Sequence, residues 1–564
     1  MGEPLETKEP MKLVIVGGVA GGLSFAARAR RLSEFASITV IEAGPFVGYA
    51  NCGVPYALGG IISSTSSLVL QTPESFKARF NIDVLHNTEV LRVDRGTKTV
   101  VYSGEDGEER AMGYDKLILA QGAEPFHPPI PGSDAPNIFS LQTIPDLERI
   151  KKYMAAHNSN SVSIIGGGFI GLEAAESLHA LGLKISIIEY ASHVFPPVDH
   201  DIAEPIHTEL RRNDISLHLN ARIKEIVPPN ENSGSHVVLE DGEEIEGDVV
   251  LLVVGVRPRA ALAGAAGLEV GKSGVVTNEY MQTSDPDIYA VGDMAATKHR
   301  ITGQAQNLAL AGPANRQGRL VADHIFGGPV CYRGNVGTSI CRIFSLTVGI
   351  VGLSISSLKN LGMEFEYATI HPPHHAGYYP GATPMTLKLA FSQTGKVLGA
   401  QVLGKEGVNK RIDILATAIQ ARMSVFDLEH LELGYAPPFS SAKDPVNMVG
   451  FVASNVLRGD VEVAHAEDLM DGMLKEYQII DVRSPGEFAK GHVVGAMLIP
   501  LDKLRGELKG IDRERKVLVY CQVGYRGYLS YRILKQSGFE VWNLDGGYKG
   551  VVQGGYTELQ ASLA

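Results

Sequence analysis

Apolar runs of five residues, each followed by glycines and then by a helical pattern, mark two places in the chain. The first run is Lys12 to Val16, and an Ala/Arg-rich stretch after it predicts a helix to about Leu32. A second apolar run, Ser37 to Ile41, ends in Glu42. Strand, glycine-rich turn, helix, strand and acid in this order predict a βαβ unit that binds a dinucleotide.

The first turn reads Gly17-Gly-Val-Ala-Gly-Gly22. Glycines let the backbone approach a pyrophosphate, whose charge then lies at the N-terminus of the helix. Gly17 and Gly22 occupy two of the three fingerprint positions, while Val19 stands where the middle glycine belongs. Glu42 is the predicted acceptor for the ribose hydroxyls.

The second copy is regular. A strand from Ser161 to Ile165 precedes the turn, a helix runs through about Leu181, and a strand from Lys184 to Ile188 ends in Glu189. Its three glycines are in register, at Gly166, Gly168 and Gly171. Because Glu189 repels a 2′-phosphate and no arginine follows within the next few residues, this site favours NADH over NADPH.

Length and charge limit the possible functions. The chain has 564 residues and a formal net charge of −12, and its 44% hydrophobic content is ordinary for a globular protein. Such a length predicts several domains. The acidic balance argues against nucleic acid or an acidic membrane as the main partner.

Cysteine usage and the chain start bear on location. Four cysteines are too few for a disulfide scaffold and too widely spaced for a metal cluster, which fits a reducing compartment. The first ten residues are polar, and no long apolar run follows. We therefore expect a cytoplasmic protein without a membrane span and without a bound metal.

Cys52 stands ten residues after Glu42, with no second cysteine near it in sequence. Asn51 and Pro55 bracket it where a helix is expected to begin, and a helix start favours the thiolate. A cysteine without an intramolecular partner takes its oxidised partner from a substrate, as a mixed disulfide or persulfide, or becomes a sulfenate. The alternative is a small core residue without chemistry.

Another α/β pattern begins near Tyr477. A strand to Ile480 leads to Asp481-Val-Arg-Ser-Pro-Gly-Glu-Phe488, and the strand Val517 to Tyr520 ends at Cys521. The turn Cys521-Gln-Val-Gly-Tyr-Arg526 combines backbone N–H groups with the positive charge of Arg526, a cradle for a thiolate or persulfide anion. Asp481, Arg483, Glu487 and His492 are expected to support the fold around this cradle.

Several motifs together resemble one family. The first ~450 residues resemble the single-cysteine branch of the pyridine nucleotide-disulfide oxidoreductases, and more narrowly the coenzyme A-disulfide reductases. The last ~100 residues resemble a rhodanese domain. The motifs are Ala50-Asn-Cys52, Pro55-Tyr56, Gln71-Thr-Pro-Glu-Ser-Phe76, Thr283 to Asp293, Tyr378-Tyr-Pro-Gly-Ala382, Gly404-Lys-Glu-Gly, Lys410-Arg-Ile-Asp413, Tyr435-Ala-Pro-Pro438 and Lys443.

This resemblance implies an α/β fold with two Rossmann-like FAD- and NAD-binding domains, an α+β dimerisation domain and a C-terminal rhodanese α/β domain. The FAD domain is split around the NAD domain. The expected limits are 11–124 and 255–329 for the FAD domain, 125–254 for the NAD domain, 330–452 for the dimerisation domain, 453–466 for a linker and 467–564 for the rhodanese domain.

The resemblance also assigns residues to ligands. Asp293 is expected to bind FAD, and coenzyme A is expected to place its thiol at Cys52. The coenzyme A contacts implied by matching positions are Ser24, Arg28, Arg31, Asn51 and Lys443. Gly48 and Asn315 depart from the serine and histidine common in the family.

Tyr378 and Tyr435 are implied to stand beside Cys52 from the partner subunit of a homodimer. A phenol hydroxyl can hydrogen-bond a thiolate or protonate a departing one. Without the resemblance, both tyrosines are interpreted as packing residues of an interface.

The implied activity is reduction of persulfides, polysulfides and coenzyme A disulfide by NADH through FAD, with sulfur exchanged at Cys521. Three alternatives remain: a sulfur carrier or redox-sensing module, a coenzyme A-disulfide reductase with an accessory rhodanese, and an NADH oxidase or peroxidase. Peroxidases of this branch open the first helix with a histidine, which Val19 to Gly22 lacks. Cys331 and Cys341 are interpreted as core residues.

Overall fold

The computed structural model describes residues 9–229 and 235–561. Most of the polar N-terminal tail, on which the expectation of no leader rests, lies outside this range, as do the last three residues of the expected rhodanese domain. The chain forms two compact units. Unit 1 is Met1–Ile188 with Arg222–Asn335, and unit 2 is Glu189–Ala221 with Val336–Ala564.

Unit 1 contains a five-stranded parallel sheet. Its central strand is Lys12–Val16, and both neighbouring strands pair with it in parallel register. The strand order is Ile288–Ala290, Lys116–Leu119, Lys12–Val16, Ser37–Ile41 and Asp83–Leu85. Nearly all residues of the central strand are buried, as expected for a parallel sheet covered on both faces.

Four further parallel strands of unit 1 form a second sheet around Ser161–Ile165. The strand order is Lys184–Ile188, Ser161–Ile165, Val249–Leu252 and Ile138–Phe139. Two Rossmann-like sheets are thus present, as the sequence predicts.

Smaller strands and helices complete unit 1. The antiparallel strands are Glu89–Asp94 with Thr99–Ser103 and Glu109–Gly113; Ile223–Val227 with His236–Leu239 and Glu244–Glu246; and Ala123–Pro125 with Val256–Pro258. A mixed sheet contains Val270–Gly271, Gly274–Val276, Ala295–Lys298 and Ala305–Gln306. The α-helices are Ala20–Leu32, Val54–Leu58, Pro73–Phe80, Ile144–His157, Phe169–His179, Ala261–Ala265 and Ala311–Ile325.

Unit 2 contains a five-stranded antiparallel sheet. The order is Ser339–Ile343, Leu346–Gly352, Val397–Gly404, Met385–Phe391 and Glu366–Ile370, so Glu366–Ile370 is an edge strand. The helices Ile355–Asn360, Val408–Gln420, Val425–Glu429 and Pro445–Leu457 follow in the same part of the chain, and His200–Arg212 with the strand Ser216–His218 comes from the earlier segment. The antiparallel sheet and the helices of residues 339–457 fit the predicted α+β domain.

The C-terminal module of unit 2 is a parallel sheet with helices. The strand order is Val463–Ala464, Val541–Leu544, Lys516–Tyr520, Tyr477–Asp481 and Met497–Leu498. The helices are Pro485–Phe488, Leu501–Glu507, Tyr525–Gln536 and Gly547–Gln553. Cys521 directly follows the central strand, where parallel α/β sheets commonly place their ligands.

The stretch 453–466, predicted as a linker, has regular structure at both ends. The helix Pro445–Leu457 ends inside it, and Val463–Ala464 is an edge strand of the C-terminal sheet. Composition alone missed this strand because only two residues pair.

Among residues 9–229 and 235–561, no helix is long and apolar enough to cross a membrane. In the same described residues, no group of three or more His, Cys, Asp or Glu side chains is arranged to hold a metal ion.

Lys388 is a buried charge at the centre of unit 2. Its Nζ lies 3.0 Å from Asp201 Oδ1 and 3.3 Å from Asp199 Oδ2, and its side chain is only 4% exposed. Burial lowers the pKa of Lys388, but the charges of Asp201 and Asp199 outweigh that effect and raise the pKa overall. Asp199 also accepts hydrogen bonds from Ser356 and Gln401.

We expect Lys388→Met to destabilise the protein by roughly 3–5 kcal/mol, because it leaves buried carboxylates without a counter-charge. Urea unfolding of the full chain, followed by fluorescence and circular dichroism, measures this change. Lys405→Met is the matched control, since Lys405 is exposed. Equal midpoints for the two variants would contradict the role given to Lys388.

Candidate functional site

At two positions of the first glycine turn, there is no room for a residue with a side chain. Gly17 has φ +109°, and a Cβ there would lie 2.2 Å from the carbonyl oxygen of Ala120. A Cβ on Gly22 would lie 2.0 Å from the carbonyl oxygen of Gly17. Val19 precedes the helix, and its carbonyl accepts from the Leu23 N–H, so a side chain at the middle fingerprint position is accommodated.

Glu42 lies at the end of its strand and faces the same turn. Its Oε2 accepts from the Gly18 N–H at 2.7 Å, and its Oε1 accepts from the Gly44 N–H at 2.8 Å. These two bonds hold the carboxylate beside the glycine turn, where the sequence predicts a ribose-binding acid.

Asp293 provides a test of whether unit 1 fits a flavin nucleotide. Burial alone raises the pKa of Asp293, and no group of the described residues donates to its carboxylate. A partly buried carboxylate without a donor is costly unless a ligand supplies one. The hydroxyl groups of an FAD ribityl chain are such donors, so the residues present fit this cofactor.

The second glycine turn has the same closed geometry. Gly166 has φ +110°, and a Cβ on Gly171 would lie 2.0 Å from the Gly166 carbonyl oxygen. Gly168 starts the helix Phe169–His179 and has open space where a Cβ would point, which leaves room for a pyrophosphate. Glu189 follows the strand Lys184–Ile188 in sequence and accepts from the Ala191 N–H at 2.8 Å.

Cys52 lies in a short 3-10 turn, Asn51–Gly53, that leads into the five-residue helix Val54–Leu58. The residue is exposed and forms no disulfide, and its Sγ is 3.8 Å from Asn51 Oδ1. All four cysteines lie in the described residues, and none of the four forms a disulfide. Any oxidised partner of Cys52 must therefore come from outside these residues.

We expected the start of a helix to lower the pKa of Cys52 and so to favour its thiolate. This prediction is wrong, because the described residues around Cys52 raise its pKa overall. Partial burial of the thiol raises its pKa, and the negative charges of Glu173 and Asp293 raise it further. The helix Val54–Leu58 has only five residues, and the backbone hydrogen bond that lowers the pKa of Cys52 is the smallest of the causes acting on it.

Glu173 is a site residue that the sequence reasoning missed. It lies on Phe169–His179, and the Tyr56 hydroxyl donates to its Oε1 at 2.9 Å. Burial raises the pKa of Glu173. Its position two residues after the last fingerprint glycine, as the first charged residue of the helix, is the signal that could have identified it.

Three coenzyme A contacts are predicted on the first helix, and two of them are already bound to other side chains. The Ser24 hydroxyl donates to Asn315 Oδ1, and Arg28 forms an ion pair of 2.6 Å with Asp323. Arg31 is exposed and forms no ion pair among the described residues. Asp323 already neutralises Arg28, so Arg31 is the one of the two predicted phosphate-binding arginines that keeps its positive charge for a ligand.

Two predicted tyrosines of unit 2 come together. The hydroxyls of Tyr378 and Tyr435 are 2.8 Å apart, and the residues are 75% and 49% exposed. The hydrogen bond from Tyr435 raises the pKa of Tyr378. Lys443 is exposed in the same unit. Two exposed, paired phenols are available to a partner molecule.

The Cys521 turn has the predicted cradle geometry. Cys521 is buried, and the Gly524 N–H donates to its Sγ at 3.2 Å. Gly547 closes the other side, since a Cβ there would lie 2.5 Å from the Cys521 carbonyl oxygen. The Tyr548 N–H donates to that carbonyl at 2.8 Å.

Arg526 and the supporting residues form two ion pairs around this turn. Arg526 donates to Glu487 at 2.9 and 2.6 Å, and this bond lowers the pKa of Glu487 to about 2. Arg483 is buried and binds Asp481 through Nε and Nη2. His492 stacks on Phe488 at 3.8 Å.

The core interpretation of Cys331 is wrong, because Cys331 is exposed. Cys341 is buried in the strand Ser339–Ile343, as predicted. Cys331 lies outside any strand or helix, where the apolar period that supports a core prediction is absent.

Three family profiles match the chain. Residues 11–318 match the pyridine nucleotide-disulphide oxidoreductase profile, and residues 338–445 match the dimerisation domain of the same family. Residues 465–553 match the rhodanese-like domain. The first match alone spans more than half of the chain.

Two solved structures are similar over nearly the whole chain. Reduced Bacillus anthracis CoADR-RHD is 41% identical, covers 98% of this chain and 99% of its own, and has a TM-score of 0.95. A NAD-dependent persulfide reductase from A. fulgidus is 36% identical, covers 96% and 100%, and has a TM-score of 0.89.

Two curated relatives each match more than three quarters of the chain. An NADH oxidase of Methanocaldococcus jannaschii is 35% identical over 78% of this chain and 97% of its own length. An NAD(P)H sulfur oxidoreductase (CoA-dependent) of Pyrococcus abyssi is 35% identical over 77% and 96%.

Replacing Glu173 with Gln is expected to lower the pKa of the Cys52 thiol, because it removes a negative charge that disfavours the thiolate. The pH dependence of Cys52 alkylation by iodoacetamide in the holoprotein, followed by peptide mass spectrometry, measures this shift. Glu148→Gln is the control, since Glu148 is exposed and does not act on Cys52. An alkylation profile unchanged by Glu173→Gln would refute the electrostatic coupling.

Proposed function

Because the chain belongs to the pyridine nucleotide-disulphide oxidoreductase family, we propose that it uses NADH to reduce persulfides, polysulfides and coenzyme A disulfide through Cys52. Sulfur passes to or from Cys521 in the rhodanese-like domain. The names of the similar proteins, a CoADR-RHD and a NAD-dependent persulfide reductase, support this choice. The proposal keeps the domain limits inferred from the sequence.

One observation carries the proposal: the same chain has a free, exposed cysteine in its dinucleotide-binding unit and a cradled cysteine in a rhodanese-like domain. A lone thiol needs a guest sulfur to be oxidised reversibly to a disulfide or persulfide. A persulfide cradle on the same chain supplies or accepts that sulfur.

Two cofactors have fitting residues in the chain. Gly17, Gly22, Glu42 and Asp293 would hold FAD, and Gly166, Gly168, Gly171 and Glu189 would hold NADH. FAD, when bound, accepts hydride from NADH and passes two electrons to sulfur. With FAD bound, the carboxylate of Asp293 would accept hydrogen bonds from it, and the N-terminus of Ala20–Leu32 would bind its pyrophosphate.

The chain's own contribution at Cys52 is control of protonation. Partial burial, and then the charges of Glu173 and Asp293, raise the pKa of Cys52 and keep it protonated at a higher pH than an isolated thiol, so a free Cys52 thiol is not lost readily to oxidants. The bond from Tyr56 fixes the position of the Glu173 carboxylate. A substrate thiolate that departs from Cys52 is stabilised by a proton donor, and the phenols of Tyr378 and Tyr435 are suitable donors.

The coenzyme A contacts and the dimer belong to the same proposal. Asn51 and Ser24 contact coenzyme A near its sulfur. The phosphates of coenzyme A are bound by Arg31, Arg28 and Lys443. Arg31 is the strongest candidate because it has no competing carboxylate, whereas Arg28 is paired with Asp323. The dimerisation-domain match supports a homodimer in which the tyrosines act on the partner's site.

An NADH oxidase or peroxidase is the second candidate, favoured by the name of the Methanocaldococcus jannaschii relative. The absence of histidine from Val19 to Gly22 argues against the peroxidase. A sulfur carrier or sensor would consume NADH only in proportion to enzyme, whereas a reductase turns over many times.

The Cys52→Ser enzyme is expected to lose NADH-dependent persulfide turnover by more than about a hundredfold, since no other group supplies the sulfur. Stopped-flow absorbance of NADH with a persulfide measures the rate, and bound FAD is checked by its spectrum. The exposed Cys331→Ser variant is the control and keeps full activity. Full turnover in Cys52→Ser would exclude the mechanism.

The Cys521→Ala enzyme separates sulfur exchange from disulfide reduction. It is expected to keep coenzyme A-disulfide reduction and to lose thiosulfate-dependent sulfur transfer to cyanide, because only the latter needs the cradle. Both activities are assayed on the same preparation. Unchanged turnover with every acceptor would assign the rhodanese-like domain an accessory role only.

A further inference from the structure

A cavity of about 680 Å³ opens beside the turn that holds Cys521. Gln522, the residue after Cys521, lines the cavity, and so do Lys549 and Glu487. The Lys549 N–H donates to the Gln522 carbonyl at 3.0 Å, and Glu487 binds Arg526 at the other end of the turn. The cavity therefore shares its wall with the Cys521 cradle.

The side chains that line the cavity leave a net positive charge once the charges neutralised in ion pairs are subtracted. Arg483 lines it but is neutralised by Asp481, and Glu487 is neutralised by Arg526. Two further lining residues, Lys490 and Lys549, form no ion pair among the described residues. Two positive charges thus remain for a ligand.

Lys549 is the more unusual of the two lysines. It is half-buried, and burial without a compensating carboxylate lowers its pKa. A desolvated ammonium group without a counter-ion is costly, so an anionic ligand at this place is stabilised. Lys490 also lines the cavity and is exposed, on the segment after Phe488.

Glutamine amides give the lining a second kind of donor. The oxygen of Gln522 accepts from Arg483 at 2.9 Å, and the oxygen of Gln553 accepts from Thr386 at 2.9 Å. Because both amide oxygens are engaged, their NH₂ groups are left to donate. Amide donors and two lysines together suit a ligand with anionic and carbonyl oxygens.

The size of the cavity favours an organic ligand over an inorganic anion. A volume of about 680 Å³ lies in the range of sites for drug-sized molecules. A single thiosulfate ion would leave most of this space empty.

We propose that this cavity binds the anionic arm of the low-molecular-weight thiol or persulfide that exchanges sulfur with Cys521, and that Lys549 and Lys490 select charged carriers over neutral ones. This inference rests on the proposed sulfur exchange at Cys521 and adds the class of its substrate. The carrier has a carboxylate or phosphate on an amide-bearing arm that reaches from the lysines to the Cys521 turn.

The exchange step balances without an external oxidant. The Cys521 thiolate attacks the outer sulfur of the carrier persulfide, a new S–S bond forms at Cys521 and the carrier's S–S bond breaks. The carrier leaves as a thiolate with the electron pair of the broken bond, and the transferred sulfur keeps the proton or charge that it had in the carrier persulfide. One sulfur atom is transferred, and the total charge is conserved.

The test measures sulfur loading on Cys521 in the full-chain holoprotein without NADH, by mass spectrometry of the Cys521 peptide. The donors are N-acetylcysteine persulfide with a carboxylate, coenzyme A persulfide with phosphates, and N-acetylcysteamine persulfide with neither. We expect Lys549→Met to slow loading from at least one charged donor by about fivefold and to leave the neutral donor unchanged. The charged donor that slows more identifies carboxylate or phosphate as the preferred group.

Lys490→Glu tests the same idea at an exposed position, where folding is not at risk, and is expected to slow charged donors more than Lys549→Met does. Lys503→Met is the matched control, since Lys503 is exposed outside the cavity. Equal slowing of charged and neutral donors, or no slowing in Lys490→Glu, would overturn the inference. If the protein did not turn over NADH with a persulfide but its Cys521 still distinguished charged from neutral donors, only the proposed reductase activity would be overturned.

Discussion

The buried ion cluster of Lys388 is the constraint on which unit 2 depends. Asp199 and Asp201 belong to the early segment of the unit, and Lys388 belongs to its antiparallel sheet, so their attraction joins distant parts of the chain. The lysine also lies 4.8 Å from the ring of Tyr367, whose hydroxyl donates to Glu467 at the start of the C-terminal module. Buried charges must be compensated in place, which fixes these segments relative to one another.

The same region positions the sulfur-handling turn. Asp545 accepts from the backbone N–H of Thr369, and the residues after Asp545 pack against the Cys521 loop. Gln553, at the end of the next helix, is held by Thr386. The segment 545–553, whose helix lines the cavity beside Cys521, is thus attached at both ends to one antiparallel sheet, and a rigid support of this kind keeps a site's donors in place.

Local sequence rules predicted the parts of the fold that depend on neighbours in the chain. The strands Lys12–Val16 and Ser161–Ile165 end where the apolar runs end, since burial and glycine geometry act over a few residues. Glu173 and the Arg28–Asp323 pair were not predicted, because each acquires its role from a segment more than a hundred residues away in sequence. The protonation of Cys52 was misjudged for the same reason.

The bond from Thr369 to Asp545 has a further consequence for shorter forms of the chain. Thr369 belongs to the edge strand Glu366–Ile370, whose outer N–H groups would otherwise be open to another strand. Open edges invite pairing between molecules and lead to aggregation. The C-terminal module therefore covers this edge. A truncated protein that ends before residue 460 would need a charged residue or a proline in that strand to avoid aggregation.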